Sequence, residues 1–251
     1  CGTLNYAVTE KISDGAYKLE CETEGETGNA QFGQMIPIDY IEGLETCYLT
    51  ELLIPGEDEE ATEDIRARYF DTFDTKPFGG NQKDYIQKTN ALPGVGSTKV
   101  TPAWNGGGTV LLTILDSNFD AASSTLVKSV QEAIDPDPQG EGLGIAPIDH
   151  IVKVKTATNV KVNVTTSLTF DEGYSFNTLK STITDTISAY LKEIRSQWAN
   201  YSQSVVRISQ IETRLLGIKG IVDISNTKIN SVASNLTLDK YEIPVMGGVS
   251  G

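Results

Sequence analysis

One imidazole, three thiols and 34 carboxylates are the groups with which this chain could do chemistry. Any multi-histidine metal site, Cys-His nucleophile or Ser-His-Asp triad would depend on His150 alone. That residue sits in Ile148-Asp149-His150-Ile151-Val152, at the start of a strand, with no nucleophile-elbow pattern beside it. It is expected to be structural. Cys1, Cys21 and Cys47 are odd in number and lack metal-type spacing, so free thiols are expected, with a Cys21–Cys47 bridge left open. Gly56-Glu57-Asp58-Glu59-Glu60 offers hard oxygen ligands, but the alternating order of a calcium loop is missing. The run reads instead as the solvated start of a helix, its carboxylates facing the positive end of the dipole.

The glycine loop Gln139-Gly140-Glu141-Gly142-Leu143-Gly144-Ile145-Ala146-Pro147 fails as a phosphate cradle. Such a cradle needs a helix to start at its last glycine, and here Pro147 and a β-branched strand follow. It reads as a flexible interdomain connector, and Gly106-Gly107-Gly108 as a turn between strands. Paired acids sit in no glycosidase frame, and the three N-x-S/T matches at Asn163, Asn200 and Asn235 carry little weight. Trp104 and Trp198 are expected at a core or interface rather than in a sugar site. No catalytic, cofactor-binding or metal-ligating residue is assigned, no cofactor is implied, and the chain is not expected to be an enzyme.

The elements that would position these groups alternate between strand and helix periods. At 251 residues and 39% hydrophobic content, the chain can fill one large core or two to three small ones. A formal charge of -14 argues against a nucleic-acid partner. No apolar run of 18 residues or secretory pattern is visible, so no membrane partner is expected. The start at Cys1 leads to the expectation that an upstream segment has been removed.

Residues 1–54 read as a β-rich domain, with Asp14-Gly15 as a hairpin turn between alternating runs. Residues 55–138 form a first α+β module. Ala61, Ile65, Tyr69 and Phe73 make a helical stripe, with Asp64 and Arg68 as an i,i+4 pair. Pro77-Phe78-Gly79-Gly80 ends that helix, and Asn81 caps the next. Two strand runs follow around Asn105-Gly106-Gly107-Gly108, and a third helix led by Ser123-Ser124 is stopped by Asp135-Pro136-Asp137-Pro138.

Residues 139–147 are the connector, and 148–251 a second module. Val152 and Val154 turn near Thr156–Asn159 into a long strand. There Val160, Val162, Val164, Thr166, Leu168 and Phe170 take one face, and Lys161, Asn163, Thr165, Ser167 and Thr169 the other. Ser175 caps a long helix whose stripe runs from Phe176 through Ile183, Ile187 and Leu191 to Trp198. A shorter helix spans 204–216, with Val205, Ile208, Ile211 and Leu215 on one face. Strands follow near Ile221–Ile224, Lys228–Asn230, Leu236–Leu238 and at the closing Glu242-Ile243-Pro244. The fold class is α+β, two small two-layer units built alike, with helices on antiparallel or mixed sheets.

Read in order, these segments resemble the baseplate J-like family of contractile phage tails and related injection machines. The matching residues are Gly28-Asn29 with Gly33 and Ile36; Pro55-Gly56-Glu57-Asp58-Glu59-Glu60 with Ile65-Arg66 and Arg68; Gly80-Asn81 with Asp84-Tyr85; Leu92-Pro93-Gly94-Val95; Gly142 to Pro147; Ile218 to Ile224; and Glu242-Ile243-Pro244 with Gly247. The resemblance implies a structural wedge protein of a phage or prophage baseplate. It would assemble around the tail hub in several copies, contact other baseplate and tail-hub proteins, and relay the rearrangement that triggers contraction. Its place would be the virion tail, assembled in the host cytoplasm. A cell-surface adhesin or carbohydrate-binding module is the alternative, motivated by the Thr/Asn-rich strand face around Asn163.

Overall fold

The computed structural model describes residues 4–74 and 79–251, with side chains of residues 71–74 left aside. Cys1, Phe73 as a stripe residue and the Pro77-Phe78 helix stop lie outside what it describes. Strands β1 (Tyr6–Ser13) and β2 (Ala16–Cys21) pair antiparallel around Asp14-Gly15. Gly15 has φ +78°, a backbone position that the missing Cβ makes cheap. Strands β3 (Gly33–Met35) and β4 (Cys47–Leu49) form a second antiparallel pair. Both described cysteines, Cys21 and Cys47, are free thiols.

Helix α1 (Thr62–Asp74) starts after the acidic run rather than within it. Two of those carboxylates already serve backbone amides far away in the sequence. Glu57 accepts from Gly94 N at 2.9 Å and Asp58 from Glu26 N at 2.8 Å. Arg68 correspondingly pairs with Glu60, not Asp64. Its Nε and Nη2 fork onto the two carboxylate oxygens at 3.1 and 2.7 Å, a bidentate geometry that a single i,i+4 contact does not match.

Asn81 caps α2 (Gln82–Asn90), its side chain accepting from Asp84 N, and Ser123 caps α3 (Ser124–Ile134) in the same way through Leu126 N. Between them, β5 (Val95–Pro102) and β6 (Thr109–Asp116) form an antiparallel hairpin. β7 (Ile151–Thr156) then pairs parallel with β6, giving the order β5-β6-β7. Tyr85, Leu112, Ile114, Leu126, Val130, Ile134, Val152 and Val154 share one core.

Two sequence expectations are corrected here. Residues 151–156 belong to the first sheet, because Val152 and Val154 bury their side chains against α3 rather than beginning a second module. The stretch 139–147 is no free connector: Ala146 N donates to Ile134 O at 2.8 Å and Asp149 N to Gly140 O at 2.8 Å. It lies along the first module as the crossover that parallel pairing of β6 and β7 requires.

The outer edge of β7 is closed by α3. Gln131 Nε2 donates to Val152 O at 3.0 Å while its Oε1 accepts from Val154 N at 2.8 Å, and Asp135 takes Val152 N at 2.9 Å. The amide thus stands in for a fourth strand, which removes a template for edge pairing. Gln131→Ala strands the Val154 amide and the Val152 carbonyl. It is expected to cost about 1–3 kcal/mol in urea unfolding.

In the second module, β8 (Thr158–Phe170) has the expected two faces, with Val162, Val164 and Thr166 buried and Lys161, Asn163, Thr165 and Ser167 exposed. α4 (Phe176–Ser196) opens with a capping box made by Ser175 and Thr178. The shorter helix differs from expectation. Val205–Val206 is a strand, β9, and α5 covers only Ile208–Leu216. β-branched valines favour an extended partner, and after β10 (Ile221–Ile229), β11 (Leu236–Thr237) supplies one. Asn235 then caps α5 from outside, accepting from Ile208 N at 3.0 Å. β12 (Glu242–Ser250) completes a sheet of order β10-β8-β12.

The two modules share one plan. Each has a central strand, β6 or β8, with an antiparallel neighbour on one side and a parallel neighbour on the other. Among the described residues there are five helices and twelve strands in small sheets, an α+β fold. No helix of the described residues is long and apolar enough to cross a membrane.

Candidate functional site

The modules meet where the chain passes from one sheet directly into the other. β7 ends at Thr156, β8 begins at Thr158, and the single residue between them, Ala157, is buried. Trp198, in the short turn after α4, is 0% exposed and packs with Leu115 of β6, Ala157 and Ile243 of β12. α4 brings it there because its apolar stripe continues through Leu191 and Ile194 to Trp198.

Two buried cations stitch this seam. Arg195 donates from Nε to Phe119 O and from Nη1 to Pro244 O, both at 2.9 Å, and its Nη2 lies 3.1 Å from Asp120. It therefore grips the end of the first module with one side of its fork and β12 with the other. Lys99 Nζ lies 4.1 Å from the centre of the Trp198 ring and donates to Lys240 O at 2.9 Å. Lys240 returns the contact, donating to Thr101 Oγ1 at 2.8 Å, while Thr101 also meets the Tyr241 hydroxyl at 2.9 Å.

Burial at the seam shifts two groups. It pushes the Lys99 ammonium down to about 8, with the charge of Lys240 adding to the effect. An amine so lowered can be a nucleophile elsewhere, but here it is 6% exposed and held between a carbonyl and an indole face. Burial also pushes the Asp116 carboxyl up to about 6, against the pull of the Asp120 and Asn118 amides that it accepts. Since the folded state then binds the proton more tightly, this group favours folding below the ordinary carboxylate range. That contribution is lost as pH rises through about 6. Asp116→Asn keeps the acceptor and drops the charge. Its thermal midpoint is expected to exceed the parent's at pH 7.5, and scanning calorimetry from pH 4 to 8 should show the gap narrowing as the pH falls below about 6.

Beside the seam lies an open concavity of about 450 Å³ lined by residues including Trp104, Leu111, Lys155 and Tyr241. Lys155 Nζ sits 5.2 Å from the Trp104 ring centre. Trp104 therefore borders a surface recess, whereas Trp198 is the hub of the junction.

A second joint ties the N-terminal region to the first module. Asn29 donates to Gly56 O at 2.9 Å and accepts from Gly56 N at 2.8 Å. Glu57 reaches Gly94, and Ser123 donates to Leu53 O. A Cβ on Gly56 would stand 2.3 Å from the Gly25 carbonyl oxygen, so no other residue allows this approach. Three of the sequence fragments quoted above, around Asn29, Gly56 and Gly94, thus converge in space.

His150 takes no part in either joint. Its Nδ1 lies 2.7 Å from the Tyr85 hydroxyl, which binds the loop before β7 to α2. Asn163 spends its side chain on Asn230 and on Gly248 N, which leaves little of it for a glycan. Among the described residues no cluster of His, Cys, Asp or Glu is placed to hold a metal ion. Lys99, Arg195 and Gln131 are not among the residues singled out from the sequence. For Arg195 a signal exists: it follows Leu191 by four residues and precedes Trp198 by three, which places a charge on an apolar stripe.

Comparison with known proteins matches residues 77–156 to the baseplate J-like central domain and residues 162–251 to the baseplate J-like protein C-terminal domain. The chain belongs to the baseplate J-like family. The gap between the two matches falls at the Ala157 crossing. The chain is 35% identical over 233 residues to the phage-like element PBSX protein XkdT of Bacillus subtilis, and 37% identical over 234 residues to the protein YqbT of the same organism. Each match covers 92% of this chain, which spans 65% and 66% of those relatives. The fold is similar to a chain of the anti-feeding prophage baseplate, a 6-fold symmetrised cryo-EM structure, at TM-score 0.50 and 8% identity over 97% of this chain and 60% of that one. The baseplate J-like resemblance read from the residues is therefore correct.

Proposed function

We propose that this chain is a wedge component of a contractile phage or prophage-derived tail baseplate, structural rather than enzymatic. It binds other baseplate and tail-hub proteins in several copies, within a particle assembled in the host cytoplasm. The observation that carries this reading is the seam. Two modules of the baseplate J-like family are clamped by Trp198, Lys99 and Arg195 into one block. Modules joined this closely suit a part that passes displacement between hub and periphery by moving as a whole. The glycine stretch 139–147, packed against α3, is not where the motion would occur.

The test is co-expression with the proteins encoded by its neighbouring genes, followed by sedimentation of the purified complex. The chain is expected to travel in a stable multi-protein assembly. A folded chain that stays monomeric and binds none of them would overturn the reading.

A further inference from the structure

The net charge of this chain is confined to one end. Residues 1–74 hold 18 of its 34 acidic residues and only 4 of its 20 basic ones, so they account for the whole formal charge of -14. The remaining 177 residues are balanced, 16 acids against 16 bases. The same end has no hydrophobic core among the described residues. Among the described residues, the buried hydrophobic side chains begin at Tyr85. Before it, Ile36, Ile38 and Tyr40 stand 85%, 81% and 90% exposed, and Val8 and Phe70 more than 60%. Yet this end is joined to the body through Asn29, Gly56, Glu57 and Gly94.

We propose that the N-terminal region is a preformed docking arm for a different protein that presents a basic surface with an apolar patch. The proposal rests on the reading of the chain as a baseplate component and names the chemistry of one partner. Exposed isoleucines and tyrosines clustered in this way mark a contact surface. The surrounding field selects what can approach. A second copy of the arm is repelled by like charge, as are nucleic acid and anionic lipid. The modules of a second copy are neutral overall and offer no net complementary charge. A cationic protein gains both steered association and burial of the exposed apolar side chains.

The test uses the full chain on a sensor surface and, as probes, the purified proteins encoded by its neighbouring genes, one at a time. Glu42→Lys/Glu45→Lys/Glu51→Lys reverses three exposed charges of the arm. Ile38→Ser/Tyr40→Ser removes apolar contact and keeps the charge. Lys153→Glu/Lys161→Glu on the exposed faces of the modules is the control. A basic protein is expected to bind the parent with an on-rate that falls steeply with salt. Charge reversal should weaken binding about 10-fold or more and flatten the salt dependence. The Ile38/Tyr40 variant should weaken it about 10-fold with the salt dependence kept, and the control should match the parent.

Partners whose affinity drops only in the control would overturn the arm and leave the baseplate reading standing. So would a bound partner that is acidic, or self-association of the chain that the arm variants abolish. Binding to none of the probes by a folded parent would overturn both.

Discussion

Trp198→Ala is expected to lower the stability of the chain by about 3–5 kcal/mol, the usual cost of emptying a fully buried aromatic site. The loss should also change the character of unfolding. Trp198 is the largest side chain in the cluster that joins β6 to β12, so its removal unties the modules while leaving each module's own core intact. Calorimetry should show one transition in the parent and two in the variant. Trp198→Phe provides the contrast. The indole nitrogen is buried without a hydrogen-bond partner among the described residues, so phenylalanine forfeits some contact and offers Lys99 a weaker cation–π partner but strands no polar bond. A smaller cost of about 1–2 kcal/mol is expected.

Arg195→Ala is the second large effect, at about 2–4 kcal/mol, because it leaves the carbonyls of Phe119 and Pro244 without their charged donor and opens a cavity beneath them. The Asp120 contact contributes little of this. Its carboxylate is 52% exposed and rehydrates when the guanidinium goes, so Asp120→Asn should cost under about 1 kcal/mol. Arg195→Lys should recover only part of the loss, since a single ammonium cannot span acceptors on two modules as a planar fork does. Urea unfolding of the three variants, run in parallel, separates the bridging role from simple ion pairing.

Much of the fold could be read from the residues because its strongest signals are local. The two faces of β8, the stripe of α4, the caps Asn81, Ser123 and Ser175, and the Asp14-Gly15 turn each depend on neighbours within a few positions. What the sequence concealed is non-local. Val152 and Val154 alternate as any strand does, and nothing in that alternation says which sheet will receive them. Parallel pairing with β6 reassigns the strand and moves the module division to Ala157.

The glycines of 139–147 read as freedom because composition shows only what glycine permits. In the fold, Gly144 lets the chain lie against α3, where a Cβ would stand 2.5 Å from Ile134 O. Val205 keeps a helical spacing with Ile208 and Ile211, yet its pairing with Thr237 prevails. The junction residues are a different case. Arg195 and Gln131 each interrupt an apolar helical face, and a polar side chain in such a place needs a partner beyond its own helix.

The distance between the modules tests the account most directly. With Cys1, Cys21 and Cys47 replaced by serine, spin labels at Lys128→Cys on α3 and Lys180→Cys on α4 report it by pulsed electron resonance. One narrow distance distribution is expected in the parent, unchanged between free chain and assembled baseplate, with broadening only when Trp198→Ala is added. A broad or two-peaked distribution in the parent would contradict a single block and return the motion to the interior of the chain.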